Sequence, residues 1–314
     1  MGGLENWRDF LVCPIDHAPL DKNGETRWIC QTCGFGTNLV AVDGQSKPDF
    51  RALDRPQTIT MTFQIPGVAL DRNQVSQTYF CAMQQTFDHY SRNDIRKRFG
   101  TKLDKGVQYY CQQLLQTCGP QAPILDLGCG NGGNRRYLQT LGFENVITVD
   151  WIARGADFLV DAHRLPFEAE TFQMVLSTAV FEHLYNPFIA ISEIGRILKD
   201  GGWFVGGASF WEAWHGSSYF HLTPDGWNTL CRHANLKLED LWPGWGILPA
   251  ALTHVITPGH LRGLGYGLQS AIESGYRLLL GQAGLRRLQL RASGAYQIYA
   301  RKESSGVSAS RGHV

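Results

Sequence analysis

From residue 106 onward, short apolar runs alternate with stretches whose apolar positions recur every three to four residues. That alternation is how the βα units of a parallel sheet appear in a sequence. Strands are expected at 123–127, 145–149, 158–160, 172–177, 203–206, 236–241 and 295–300. Helices are expected over 108–118, 187–198 and 224–235, the second with Phe188, Ile191, Ile194 and Leu198 on one face. Seven such strands suit one doubly wound, mostly parallel sheet of Rossmann-like α/β form, spanning 106–302.

The first 50 residues follow a different pattern, dense in turn formers and closed by the breaker run Asp43-Gly44-Gln45-Ser46-Lys47-Pro48. They are expected to form a small module of their own, and 51–105, interrupted by Pro56, Pro66 and Gly67, a connector or lid. The tail 303–314 is rich in Ser and Gly and is expected to be disordered. Between the last two strands lies an insertion, 242–292. In it Leu264, Leu268, Ile272, Tyr276 and Leu279 recur at near-helical spacing, while Arg262, Arg277, Arg286, Arg287 and Arg291 face Glu273 alone in charge. A basic amphipathic helix fits a lipid-like substrate or a membrane surface, and packing on its own domain produces the same pattern. The insertion is expected to cover the carboxyl edge of the sheet.

Composition narrows the class. Of 314 residues, 43% are hydrophobic and 18% charged, which excludes a mainly disordered chain. Lys and Arg total 29 against 28 Asp and Glu, so no whole-protein field attracts nucleic acid. The start MGGLENWRDF has no apolar signal core, so the expected address is cytoplasmic. There the 8 cysteines are not expected to pair as disulfides, and only Cys13, Cys30 and Cys33 cluster.

The first expected strand runs into Asp126-Leu-Gly128-Cys129-Gly130-Asn-Gly132, an acid followed by closely spaced glycines that let backbone approach a ligand. The second ends in Asp150, where a carboxylate can accept hydrogen bonds from ribose hydroxyls, and the third in Asp161. Three acids at successive strand ends point to one crevice. Asp126 would repel a pyrophosphate, which the dinucleotide loops place at a helix N-terminus, and would welcome a cationic ligand.

These residues resemble the class I S-adenosylmethionine-dependent methyltransferases, particularly the ubiquinone/menaquinone-biosynthesis-type group. The resemblance extends to Leu165-Pro166-Phe167, to Ser177-Thr-Ala-Val-Phe181-Glu182-His183-Leu184, and to the segment from Glu193 to Gly202. It departs at Gln173 and Asp200, where the family commonly has Asp and Pro. It implies that the loop, with Asp126, Gly128, Cys129, Gly130 and Gly132, cradles the methionine part of the cofactor. By the same resemblance Asp150 holds the ribose, Trp151 stacks on the adenine, Asp161 and the Ala162 backbone read its edge, and Ser177 lines the cofactor site. His183, after the fourth strand, and His221, before a helix, are the candidate catalytic bases. A small molecule or a saccharide or lipid precursor is the expected acceptor. RNA methylation and a non-catalytic cofactor-binding scaffold or activator are the alternatives.

In the amino-terminal segment, Cys13-Pro-Ile-Asp16-His17 and Cys30-Gln-Thr-Cys33 have metal-ligand spacing. They resemble the zinc ribbon of methyltransferase activator proteins and the zinc domain of an rRNA guanine methyltransferase, with Asp16 where a fourth cysteine stands. Either His17 or Asp16 completes the set. His17 is expected, because imidazole is the commoner partner of three thiolates, and the zinc is expected to be structural.

Overall fold

The computed structural model describes residues 7–55, 59, 61, 105–246 and 262–304. Strands β1 (Leu20–Lys22) and β2 (Trp28–Cys30) form a small antiparallel hairpin, followed by β3 (Asn38–Val42) and β4 (Gln45–Asp49). Helix α1 (Lys105–Cys118) leads into β5 (Ile124–Leu127), α2 (Gly133–Leu141), β6 (Val146–Asp150), β7 (Phe158–Leu159) and β8 (Phe172–Thr178). Then come α3 (Pro187–Ile197), β9 (Leu198–Ser209), α4 (Pro224–His233), β10 (Leu236–Gly246), α5 (Arg262–Arg291) and β11 (Ser293–Lys302).

The sheet has the order β10-β11-β9-β8-β5-β6-β7-β4-β3. The strands from β5 to β9 pair in parallel, and β11 is antiparallel to both β9 and β10. Every residue of β5 is buried, as expected of a parallel strand covered on both faces. The expected count of seven is corrected to nine among the described residues, because the β3–β4 hairpin joins the same sheet: Asp49 pairs in parallel with Leu159, and Phe50 N–H donates to the Leu159 carbonyl at 2.8 Å. The Phe50 ring lies 5.5 Å from both Trp28 and Phe158, so the amino-terminal segment shares the main apolar core.

Local chemistry sets the helix ends. Asn186 accepts from Ile189 N–H and Thr223 from Gly226 N–H, each just ahead of a proline suited to the first helical turn. Helix α3 stops at Ile197 because Leu198 is already paired with Phe172 in the sheet.

The insertion begins later than expected, since 242–246 belong to β10. Its helix, α5, packs against β10 and is kinked at Gly281, where φ is 67° and ψ −171°. Leu285 and Leu290 are buried, but Leu268, Ile272, Tyr276 and Leu278–Leu280 are exposed, with Leu278 at 86% and Leu279 at 81%. The described members of the expected apolar face thus keep between 38% and 81% of their surface exposed. The side chains of Leu264 and Arg286, most of the expected connector, residues 247–261 and the tail beyond 304 lie outside the described residues. Among the described residues no helix is long and apolar enough to cross a membrane.

Candidate functional site

The acid-glycine loop leaves the carboxyl end of β5 and enters α2. Gly128 N–H and Cys129 N–H both donate to the Val149 carbonyl, at 2.8 and 3.1 Å, which folds the loop back over β6. Gly128 has φ +77°, and a Cβ there would meet Val180 Cγ2 at 2.1 Å. The loop after β6 presses on it equally closely: a Cβ on Gly155 would lie 2.2 Å from Gly132 N and 2.5 Å from Gly130 O. Backbone packed this tightly needs glycine at both positions.

Asp126 is fully buried. Asn134 Nδ2 donates to its Oδ1 at 2.9 Å, while Oδ2 has no partner among the described residues. Burial pushes its pKa up to about 7, against the Asn134 bond and the Arg135 charge and with the help of the Asp150 charge. A buried carboxylate oxygen left unpaired is costly unless a ligand satisfies it, and a cationic group is the natural one. Ser177 Oγ, at the end of β8, is also buried and without a partner among the described residues.

Asp150 braces the loop, accepting from Gly130 N–H at 3.0 Å and from Ile152 N–H at 3.1 Å, and stays part-exposed. Beside it Trp151 and Ile152 are large apolar side chains left in solvent, at 49% and 60% exposure. Arg51 fixes this corner. Its guanidinium is gripped by both Asp49 oxygens at 2.8 Å, donates to the Trp151 carbonyl at 3.0 Å, and lies 5.2 Å from the centre of the indole ring. Sequence reasoning missed Arg51, since nothing local links it to a tryptophan a hundred residues on.

Asp161 is buried and already engaged: its Oδ1 accepts from His163 N–H at 2.9 Å and lies 2.6 Å from His163 Nδ1. Burial works to raise its pKa, but the His163 bonds and charge and the nearby Arg164 hold it below the ordinary value. His163 in turn stacks on Tyr185 at 4.3 Å, another partnership without a sequence signal. Ala162 is buried beside it, and Cys129 is buried with its thiol pushed far up by that burial.

After β8, His183 is exposed and Glu182 almost wholly buried. His183 and His221 are linked through a histidine not singled out as a candidate: the His215 ring lies 5.3 Å from His183 and 6.5 Å from His221. His221 Nδ1 lies 3.1 Å from the Phe210 carbonyl.

In the amino-terminal segment, one ligand atom each from Cys13, Asp16, Cys30 and Cys33 lie within 4.8 Å of one another. Cys13 Sγ is 3.5 Å from Cys33 Sγ, and Cys30 Sγ is 3.6 Å from Asp16 Oδ1. Ile15 N–H and Cys33 N–H point at Cys13 and Cys30 sulfur. Burial disfavours the Cys30 thiolate, yet N–H bonds from Cys33 and Thr32 bring its pKa below the ordinary thiol value. His17, the expected fourth ligand, is not in this group, and Asp16 stands in its place. His17 has φ 56°, and its Nε2 lies 3.9 Å from Glu193 on α3. Burial and the Arg196 charge hold its pKa down.

Three comparisons bear on this arrangement. Residues 125–206 match the family described as "Methyltransferase domain". A Mycobacterium ulcerans protein named "Probable phthiotriol/phenolphthiotriol dimycocerosates methyltransferase 2" is 33% identical over 26% of this chain and 37% of its own length. A fatty-acid O-methyltransferase of Mycolicibacterium smegmatis is 30% identical over 31% of this chain and 42% of its own. A Bos taurus protein named "Probable tRNA methyltransferase 9B" is 31% identical over 29% and 22%. The chain thus spans less than half the length of these relatives. Over residues 125–206 the chain is thus similar to a methyltransferase domain.

Proposed function

We propose that this chain transfers the methyl group of S-adenosylmethionine to an amphipathic, lipid-like acceptor. The observation that carries the methyltransferase reading is the unpaired, buried Asp126 Oδ2 at the glycine loop, a fit for the cationic aminoacyl end of that cofactor. In this reading Asp126 and the backbone of Gly128–Gly132 bind the methionine part. Asp150 takes the ribose, Trp151 and Ile152 cover the adenine, the Ala162 backbone beside the His163-held Asp161 reads the adenine edge, and Ser177 lines the floor. Bound there, the cofactor supplies a methyl on a sulfonium, and the protein's task is alignment of an in-line displacement with removal of an acceptor proton where one is present.

The lipid-like acceptor is supported by the exposed leucines of α5 beside Arg277 and Arg287, and by the names of two relatives. The tRNA relative supports an RNA acceptor instead, against which stands the net charge of +1. Incubating purified full chain with labelled methyl donor and separated lipid, metabolite and RNA fractions tests both. Label in the lipid fraction is the expected outcome; label in RNA alone reverses the choice, and cofactor binding without label anywhere leaves the scaffold reading.

The same reading includes one structural zinc held by Cys13, Asp16, Cys30 and Cys33, because three sulfurs and a carboxylate converge with N–H bonds already directed at sulfur. Elemental analysis should find one zinc per chain, retained in His17→Ala and lost in Cys30→Ser.

A further inference from the structure

We infer that Glu182, His183 and His215 form a second divalent-metal site at the acceptor end of the sheet, distinct from the cysteine cluster. One carboxylate oxygen of Glu182 and one nitrogen from each histidine lie within 4.8 Å of one another. The three come from two separate segments, the short 3-10 turn after β8 and the loop after β9. The second segment is anchored to the first: Tyr219 and Phe220 N–H groups both donate to the Glu182 carbonyl, at 2.6 and 3.3 Å.

Glu182 is 1% exposed. Its Oε1 is bonded to Ser209 Oγ at 3.0 Å, and its Oε2 has no partner among the described residues. A carboxylate oxygen held at that depth with nothing to accept from calls for a cation or a donor. The His215 imidazole is oriented for a metal by its own backbone contact. His215 Nδ1 lies 2.9 Å from the Ala213 carbonyl, so the proton belongs on Nδ1 and the Nε2 lone pair is free. This is the outer bond that metal-binding histidines usually make.

Two imidazoles and one carboxylate suit zinc, cobalt, manganese or ferrous iron rather than magnesium or calcium, and three protein ligands leave coordination positions open. The half-exposed setting lets an oxygen ligand reach them. Resting on the methyltransferase reading, this site would hold a hydroxyl or carboxylate oxygen of the acceptor and favour its anionic form, any hydroxyl proton passing to solvent, before that oxygen bonds the methyl carbon as its bond to the sulfonium breaks and S-adenosylhomocysteine leaves.

Cobalt(II) titration of the full chain tests the site without requiring turnover. Cobalt in the cysteine cluster shows thiolate-to-metal charge transfer, whereas cobalt on Glu182, His183 and His215 shows visible ligand-field bands alone. The expected result is two equivalents, one with and one without the thiolate band. His215→Ala should weaken the thiolate-free equivalent at least tenfold while the thiolate band and S-adenosylmethionine affinity stay unchanged. Acetohydroxamate, as an oxyanion probe, should shift the thiolate-free bands. A spectrum with only the thiolate signature, or a thiolate-free equivalent indifferent to His215→Ala, overturns the site. Indifference to acetohydroxamate overturns its open position. Because cofactor affinity is measured separately by calorimetry, failure of the metal site and failure of the methyltransferase reading give different results.

Discussion

The glycine-loop crevice and the amino-terminal cysteine cluster are both small gatherings of polar atoms, but they are built in opposite ways. In the crevice the loop is one continuous segment at the end of β5, and Asp126 Oδ2 and Ser177 Oγ have no partners among the described residues. In the cluster the four side chains come from two turns, and their sulfurs and carboxylate already face one another. The first arrangement awaits an exchangeable ligand, while the second suits an ion that stays. The two are also mechanically linked. Arg55 donates to the Cys33 and Gly34 carbonyls, and Arg164 donates to the Arg55 and Arg51 carbonyls while lying 3.7 Å from Asp161. The cluster therefore supports the crevice without contributing an atom to it.

The sharpest way to break this contrast is Gly155→Ala, whose methyl would enter the space of Gly132 N and Gly130 O. Overpacking against backbone is expected to cost up to about 3 kcal/mol of stability and to abolish cofactor binding. Thermal unfolding and calorimetry check both, and wild-type affinity would show that the loop can move aside. Next in size, Asp150→Ala should lose about 1.5–3 kcal/mol of cofactor binding, roughly tenfold to a hundredfold. Its removal takes the proposed ribose acceptor and the Gly130 brace together, and an unchanged dissociation constant would refute the assignment.

Removing metal from the cluster is expected to act on stability rather than on the ligand. Chelation should lower the melting temperature by roughly 4–8 °C, corresponding to about 2 kcal/mol, as followed by calorimetric scanning. Cofactor affinity should change by less than about threefold, since the cluster reaches the crevice indirectly, through side chains such as Arg55 and Arg164. A tenfold loss of affinity with an unchanged melting temperature would invert the comparison.

The dependence on pH separates the two as well. Asp126, raised to about 7 by burial, keeps its proton in the ligand-free fold where the unfolded chain loses it. Its contribution to stability is therefore full below the ordinary carboxylate pKa and lost as pH rises through about 7. A cationic cofactor reverses that preference and expels the proton. Affinity should fall about tenfold per unit below pH 7, with proton release visible by calorimetry in two buffers, and Asp126→Asn should flatten the profile. Affinity that stays constant from pH 7 down to about 5.5 would remove Asp126 from the aminoacyl contact.

What could be seen in the sequence was what a few contiguous residues encode. The alternation of apolar runs located the strands from β5 to β11 to within a few residues of their cores. The spacing Asp126, Gly128, Gly130, Gly132 announced a backbone loop, because close approach and positive φ demand glycine wherever they occur. Asp150 was legible for the same reason, lying at the end of an apolar strand.

Tertiary structure alone decided which of two adjacent side chains enters the cysteine cluster. Asp16 accepts from Ala18 N–H and faces Cys30, while the left-handed backbone at His17 turns its ring toward Glu193. It also decided that β4 joins the main sheet, that Arg51 lies over Trp151, that His215 meets Glu182 and His183, and that Leu278–Leu280 of α5 are exposed. Each depends on segments distant in the chain being brought together. Periodicity records which face of a segment is apolar but not what will lie against it, so these pairings exist only once the whole core has closed.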